Sequence, residues 1–180
     1  MSEFTPHTSP SLAALDPLHR YCPRCRAPLT TDEIGGHERA LCTACDYVFW
    51  GNPVPVVAAL VEWQGQMILA RNQAWAEGKF GLITGFLERD EAPDEAVRRE
   101  VGEELSLVAT SADLIGLYPF PRKNELLIVY HVRAEGEIVL NEELAEIRLV
   151  PPARLQAWDY GTGLAVADWL RRAGLGAQAG

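Results

Sequence analysis

Between Gly85 and Leu107 the chain reads GFLERDEAPDEAVRREVGEELSL, and Glu100, Glu103 and Glu104 fall at i, i+3 and i+4. On a helix that spacing stacks the three carboxylates on one face. Two such charges about 4 Å apart repel by roughly 4 kcal/mol at an effective dielectric of about 20. A helix built for its own stability would not gather them. Protonation of some, or a cation among them, relieves the repulsion, and a hard divalent ion suits oxygen donors. The alternative is a solvated acidic face.

The cysteines form a second group. Cys22-x2-Cys25 and Cys42-x2-Cys45 are separated by sixteen residues and account for all 4 cysteines. Two such knuckles match a tetrahedral four-thiolate zinc site, closed to substrate and therefore structural. The alternative, a disulfide pair in a small exported domain, is disfavoured because residues 1–17 lack the charged start and apolar run of a secretory leader.

The elements that must position these groups are legible in outline. Pro93 suits the first turn of a helix, Asp94 and Glu95 favour its positive end, and Ala96, Val97, Val101 and Leu105 supply an apolar stripe. Residues 1–17 read as a loose arm, 18–50 as the zinc ribbon with a hairpin turn at Gly35-Gly36, 51–175 as the main domain, and 176–180 as a frayed tail. Tyr47, Phe49 and Trp50 are expected to cover the joint between ribbon and main domain. After the stiff Asn52-Pro53-Val54-Pro55, strands are expected at 56–63 and 67–71 across Gln64-Gly65, then at 80–84, 114–118, 125–133, 137–140 and 147–150. Leu126 to Tyr130 is too continuously apolar for a half-exposed strand and belongs inside the sheet. Residues 152–158 start a short helix, and Thr162 caps another that Gly174 ends. His131, within an apolar run, reads as a packed strand residue, and Arg98 as solvent-facing. Strands mixed with two or three helices indicate an α/β fold with a mixed sheet covered on both sides.

Composition narrows the partners. Of 180 residues 48% are hydrophobic and 23% charged, and 25 acids against 16 Lys plus Arg leave a net charge of −9. That field repels a polyphosphate backbone, and the ribbon's charges cancel, so no nucleic-acid polymer is expected as a partner. A small anion can still be held where metals neutralise the site. No run is long enough to span a bilayer, and a cytoplasmic location with no membrane partner is expected.

The spacing Gly85, Glu91, Arg99-Glu100-Val101, Glu103-Glu104, Leu107 resembles the Nudix box, G-x5-E-x7-R-E-U-x-E-E-x-G-U with U aliphatic. Only the last glycine differs, being Ser106 at the end of the helix, where glycine suits a left-handed backbone. A four-cysteine ribbon ahead of the box resembles the NADH pyrophosphatase branch and its zinc-ribbon relatives over about residues 21–155. The resemblance implies an α/β/α sandwich and a hydrolase that uses Mg2+ or Mn2+ to cleave the diphosphate of a nucleoside-diphosphate-linked compound, NADH or ADP-ribose foremost. FAD or a nucleoside triphosphate as substrate, and a non-catalytic ligand sensor, are the alternatives. It further implies Glu100 and Glu104 as metal ligands, Glu103 as a shared ligand or catalytic group, and the Thr84 carbonyl as a further ligand. Arg99 pairs with Glu91 to hold the loop. The stretch from Glu143 to Leu149 resembles a family E-x-x-E-A-x-W segment, which implies Glu143 as the best extra ligand or base, while Glu142, Glu143 and Glu146 read equally well as ordinary loop charge. Phe86 matches a base-stacking position. Tyr118-Pro119-Phe120-Pro121 resembles part of the branch's S-Q-P-W-P-F-P signature, which implies substrate contacts from Tyr118 and Phe120. Ile115, Gly116 and Leu117 replace the signature's Ser, Gln and Pro. Relatives of this kind are commonly dimers, so a homodimer is implied.

Overall fold

The computed structural model describes residues 20–175, which divide at Asn52 and Pro53 into two compact units. The expectations for the arm at 1–17 and the tail at 176–180 lie outside the described residues.

In the first unit, β1 (Leu29–Ile34) and β2 (His37–Cys42) form an antiparallel hairpin, and β3 (Val48–Phe49) pairs with β2. The turn between β1 and β2 is the expected one. Gly35 and Gly36 take φ of 62° and 76°, a region that favours residues without a Cβ. Cys22, Leu29, Ala40 and Cys42 make a small core against which Tyr47 and Phe49 pack. Trp50 lies under the Arg39 guanidinium, 4.9 Å from its ring centre.

The second unit is built on β4 (Val54–Trp63), β5 (Gln66–Asn72), β6 (Ile83–Phe86), α1 (Pro93–Leu105), β7 (Val108–Phe120), β8 (Glu125–Glu135), β9 (Leu144–Val150) and α2 (Gly163–Arg172). The sheet order is β7-β8-β4-β5-β9, with β6 also paired to β4. Strand β4 runs parallel to β8 from Val54↔Glu125 to Trp63↔Ala134. Along its other edge it divides, pairing Val56–Ala59 with β6 and Val61–Trp63 with β5.

Alternation along β4 gives each face its own core, as a period of two requires. Val57, Ala59 and Val61 meet Val97, Val101 and Leu105 of α1. Val56, Ala58 and Leu60 meet Ala165, Val166 and Leu170 of α2. The expected α/β/α sandwich is therefore present, and the run Leu126–Tyr130 lies on a strand flanked on both sides.

Four local expectations are corrected. Residues 137–140 form no strand, because their backbone serves the end of α1 instead. Val139 N–H donates to Leu105 O at 3.0 Å and Asn141 N–H to Glu104 O at 3.1 Å, satisfying carbonyls a helix end leaves open. Arg98 is not free in solvent, since its Nη1 donates to the Ala109 carbonyl at 2.9 Å. Thr162 stands at the N-cap of α2 but its side chain makes no capping bond, and residues 152–154 are a single 3-10 turn. Gly174, at φ 70°, does follow the helix end. His131 is packed as expected, with Nε2 at 2.9 Å from Glu62 and its ring against Trp169; burial holds its pKa below the ordinary value.

Candidate functional site

Strand β6 delivers the chain to the acidic helix. Pro93 occupies its first turn and the Glu95 carboxylate accepts from the Ala92 N–H at 3.3 Å, so the start is closed locally. Ala96, Val97, Val101 and Leu105 are fully buried and fix the helix's rotation against the sheet. At its other end Ser106 takes φ 58°, the left-handed cap position, with its N–H on Gly102 O at 2.9 Å.

That rotation aims Glu100 and Glu104 at β6. Glu104 is buried, 6% exposed, and its carboxyl is pushed up to about 8. Burial is the main cause, and the charges of Glu100 and Glu143 add to it, against a lowering contact from the Thr84 backbone amide. Glu100 is raised too, by burial and by Glu103 and Glu143, although Arg99 opposes the shift. Glu143, from the loop before β9, lines the same cleft as Glu100 and Glu103. Its own backbone is tethered, its N–H donating to Asn141 Oδ1 at 3.0 Å and its carbonyl accepting from Gln73 N–H at 2.8 Å.

Gly85 makes this close approach possible. A Cβ there would stand 1.9 Å from the Glu100 carboxylate, so any other residue must displace it. Arg99 holds the loop as expected, donating from Nε and Nη2 to Glu91 at 2.8 and 3.0 Å and from Nη2 to the Phe86 carbonyl at 3.2 Å. Its Nη1 also meets Glu100 at 2.7 Å and Glu103 at 3.1 Å. The pair with Glu91 is mutual: Glu91 is lowered chiefly by the Arg99 hydrogen bond, and Arg99 is raised chiefly by Glu91. Two carboxyls of raised proton affinity, Glu100 and Glu104, beside Glu103, offer oxygen donors of the kind that suits a hard divalent cation, and Arg99 pairs with Glu100 and Glu103.

Glu100, Glu103 and Glu143 line a cleft of about 880 Å³, whereas Glu104 lines a separate small hollow together with Thr84 and Leu144. Thr84, Gly85, Phe86, Arg99 and Phe120 also line the cleft. Phe86 is 59% exposed there and is not a core residue. Tyr118 is not brought to the cleft. It is buried under α2, where its hydroxyl donates to Asp168 at 2.7 Å, and burial with that contact pushes it up to about 12. Glu146 is occupied elsewhere, bonded to Arg71 at 2.7 Å.

Several lining residues were missed from sequence: Trp75, Lys79 and Phe80 from one loop, Arg122 and Lys123 from the turn after β7, Trp158 and Tyr160 from the loop before α2. Aromatic residues stranded in otherwise polar loops were the available signal.

In the first unit the four cysteine sulfurs lie within 4.8 Å of one another, with Cys22–Cys45 at 3.6 Å and Cys25–Cys42 at 3.4 Å. Tetrahedral zinc at about 2.3 Å from each thiolate would set them about 3.8 Å apart. The residues present fit that ion. Burial raises the Cys22 thiol, but the amides of Cys25 and Arg24 and the neighbouring sulfurs outweigh it and bring it to about 7.

Comparison with known proteins places this geometry. The chain is 27% identical over 129 residues to the NAD-capped RNA hydrolase NudC of Pseudomonas fluorescens, covering 71% of this chain and 46% of that protein. It is 27% identical over 143 residues to the human mitochondrial NAD(P)H pyrophosphatase NUDT13, covering 78% of this chain and 40% of that one. The chain thus spans less than half the length of these curated relatives. A crystal structure of a NUDIX hydrolase from Nitrosomonas europaea shares the fold, with a TM-score of 0.69 at 21% identity over 88% of this chain and 95% of that one. Residues 51–169 match the NUDIX domain, and the chain belongs to that family.

Proposed function

We propose that this chain is a hydrolase that cleaves the diphosphate of a nucleoside-diphosphate-linked compound, NADH or ADP-ribose foremost, by attack of water on phosphorus. The observation that carries the reading is Glu100 packed against Gly85 in an open cleft that Glu103 and Glu143 also line, with Glu104 buried beside Thr84 on the same helix face. Glu100, Glu103 and Glu104, with the Thr84 carbonyl, would hold Mg2+ or Mn2+. When bound, such an ion neutralises the diphosphate oxygens and acidifies water. Glu143, which lines the cleft, would accept the proton of the attacking water, and Glu103, more exposed than Glu100, would serve the same end. Arg99 keeps the loop in register through Glu91, and a bound metal would take over its hold on Glu100 and Glu103. Phe86 and Phe120 offer ring faces to a base. The cysteine cluster would carry structural Zn2+.

The two curated relatives named above support a nucleotide substrate. A free nucleotide, rather than a nucleic-acid polymer, is proposed because of the chain's net charge of −9. We also propose a cytoplasmic site of action and a homodimer. No described helix is long and apolar enough to cross a membrane.

The test is a panel of NADH, ADP-ribose, FAD, nucleoside triphosphates and NAD-capped RNA with Mg2+ or Mn2+, scored for phosphate-monoester products. Turnover of a free dinucleotide or ADP-ribose, lost in Glu100→Gln and in Glu104→Gln while both stay folded, is expected. Near-normal turnover in either variant would remove the metal role from this helix face.

A further inference from the structure

Besides the acids, the turn after β7 and the loop before α2 line the cleft. Pro121 opens a 3-10 turn that Asn124 ends at φ 53°, its N–H on the Pro121 carbonyl at 3.2 Å. The Asn124 carbonyl accepts from Val54 N–H at 2.8 Å, anchoring the turn to the sheet. Arg122 and Lys123 therefore stand on a stiff support. Lys123 shares its charge with Glu125 at 3.7 Å, while Arg122 makes no ion pair among the described residues.

Aromatic rings adjoin them. Phe120, Trp158 and Tyr160 line the same cleft as Arg122 and Lys123. Gly161, at φ 53°, lies against Phe120, where a Cβ would be 3.7 Å from the ring. A Cβ on Gly163 would stand 2.1 Å from the Trp158 carbonyl oxygen, so the loop carrying these rings is drawn tightly onto α2.

The register sets the scale. Gly85 pairs with Val57 and Val57 with Ile128, which lies four positions beyond Asn124. Two strand spacings of about 4.8 Å and four rises of about 3.3 Å put the turn roughly 16 Å from the box glycine. That interval accommodates a diphosphate and its nucleoside, with an arginine reaching back toward them.

Resting on the hydrolase reading above, we propose that Arg122, aided by Lys123, selects substrates bearing a further phosphate on the nucleoside stacked by Phe120, Trp158 and Tyr160. The scissile diphosphate belongs at the acidic end with its cation, so these side chains are left for another anion. A guanidinium matches phosphate in a two-bond fork, and ring walls exclude water that would weaken it. An arginine with no ion pair among the described residues, on a chain of net charge −9, suits a small phosphorylated nucleotide better than a polymer, which would need a basic stripe.

Calorimetry on the full chain compares adenosine 5′-monophosphate with the 2′,5′- and 3′,5′-bisphosphates. One bisphosphate should bind about tenfold tighter than the monophosphate. The advantage should fall to about twofold or less in Arg122→Ser/Lys123→Ser and be partly restored in Arg122→Lys, as expected when a point charge replaces a fork. Turnover gives a second arm, as the ratio of kcat/KM for NADPH to that for NADH, which should fall in parallel. Equal binding by the parent, or an advantage that survives the double substitution, overturns the proposal. So does NAD-capped RNA outcompeting both bisphosphates. A bisphosphate advantage without turnover on any substrate supports this site and sinks only the hydrolase reading. Turnover without the advantage sinks only this site.

Discussion

Glu104→Gln should stabilise the folded chain while abolishing its use of metal. The Glu104 carboxyl sits at about 8 in the fold against an ordinary value of 4.5, chiefly through burial and then through Glu100 and Glu143. Below pH 4.5 both folded and unfolded states hold the proton, and the group contributes nothing. Above it the unfolded chain releases a proton that the folded chain retains, so stability falls as pH rises, by about 1.4 kcal/mol per unit. The loss reaches a ceiling of about 5 kcal/mol once the folded group also ionises. Glutamine carries no charge and its amide oxygen can still accept from the Thr84 amide. Loop movement of Glu143 trims the difference, leaving the variant about 2–4 kcal/mol more stable than the parent at pH 9 and level with it near pH 4.5. Urea unfolding in buffer without added divalent ions, followed by circular dichroism across that range, measures this. Adding Mg2+ at about 100 times its Kd should return about 2.7 kcal/mol to the parent and little to the variant. A variant less stable than the parent at pH 9 would refute the reasoning, since the carboxylates would then not be strained against one another.

Two further outcomes follow from the geometry. Gly163→Ala forces a Cβ onto the Trp158 carbonyl, where only backbone can yield, so it should cost about 2–3 kcal/mol and lower Tm by about 4–12 °C. A scanning melt within 1 °C or so of the parent would show that the loop gives way freely. Zinc content by atomic emission should be about one per chain and fall to near zero in Cys42→Ser, with residues 20–52 becoming protease-sensitive and 53–175 staying resistant.

The parts of the site that were legible in sequence are those fixed by short-range spacing. Glu100, Glu103 and Glu104 share a face because of helical period alone, and the Glu91–Arg99 pair closes a loop of a few residues. The hairpin at Gln64-Gly65 and the start of α1 at Pro93 were equally local. What escaped was decided by distant partners. Tyr118 carries a motif position yet turns toward Asp168, fifty residues on, because α2 covers that face of β7. Residues 137–140 have strand-like composition, but the open carbonyls of α1 claim their amides. Trp158 and Tyr160 reach the cleft only through the tight packing at Gly163, and no periodicity announces it.

The parallel pairing of β4 with β8 joins Val54 to Glu125, so a span containing the whole acidic helix must be looped out before that ladder can form. Such a non-local closure comes slowly and late. A nascent chain that has emerged only as far as Pro121 carries every helix acid of the box without the strand that backs its sheet. The order of synthesis thereby withholds the sheet that fixes the orientation of these acids until most of the polypeptide has left the ribosome.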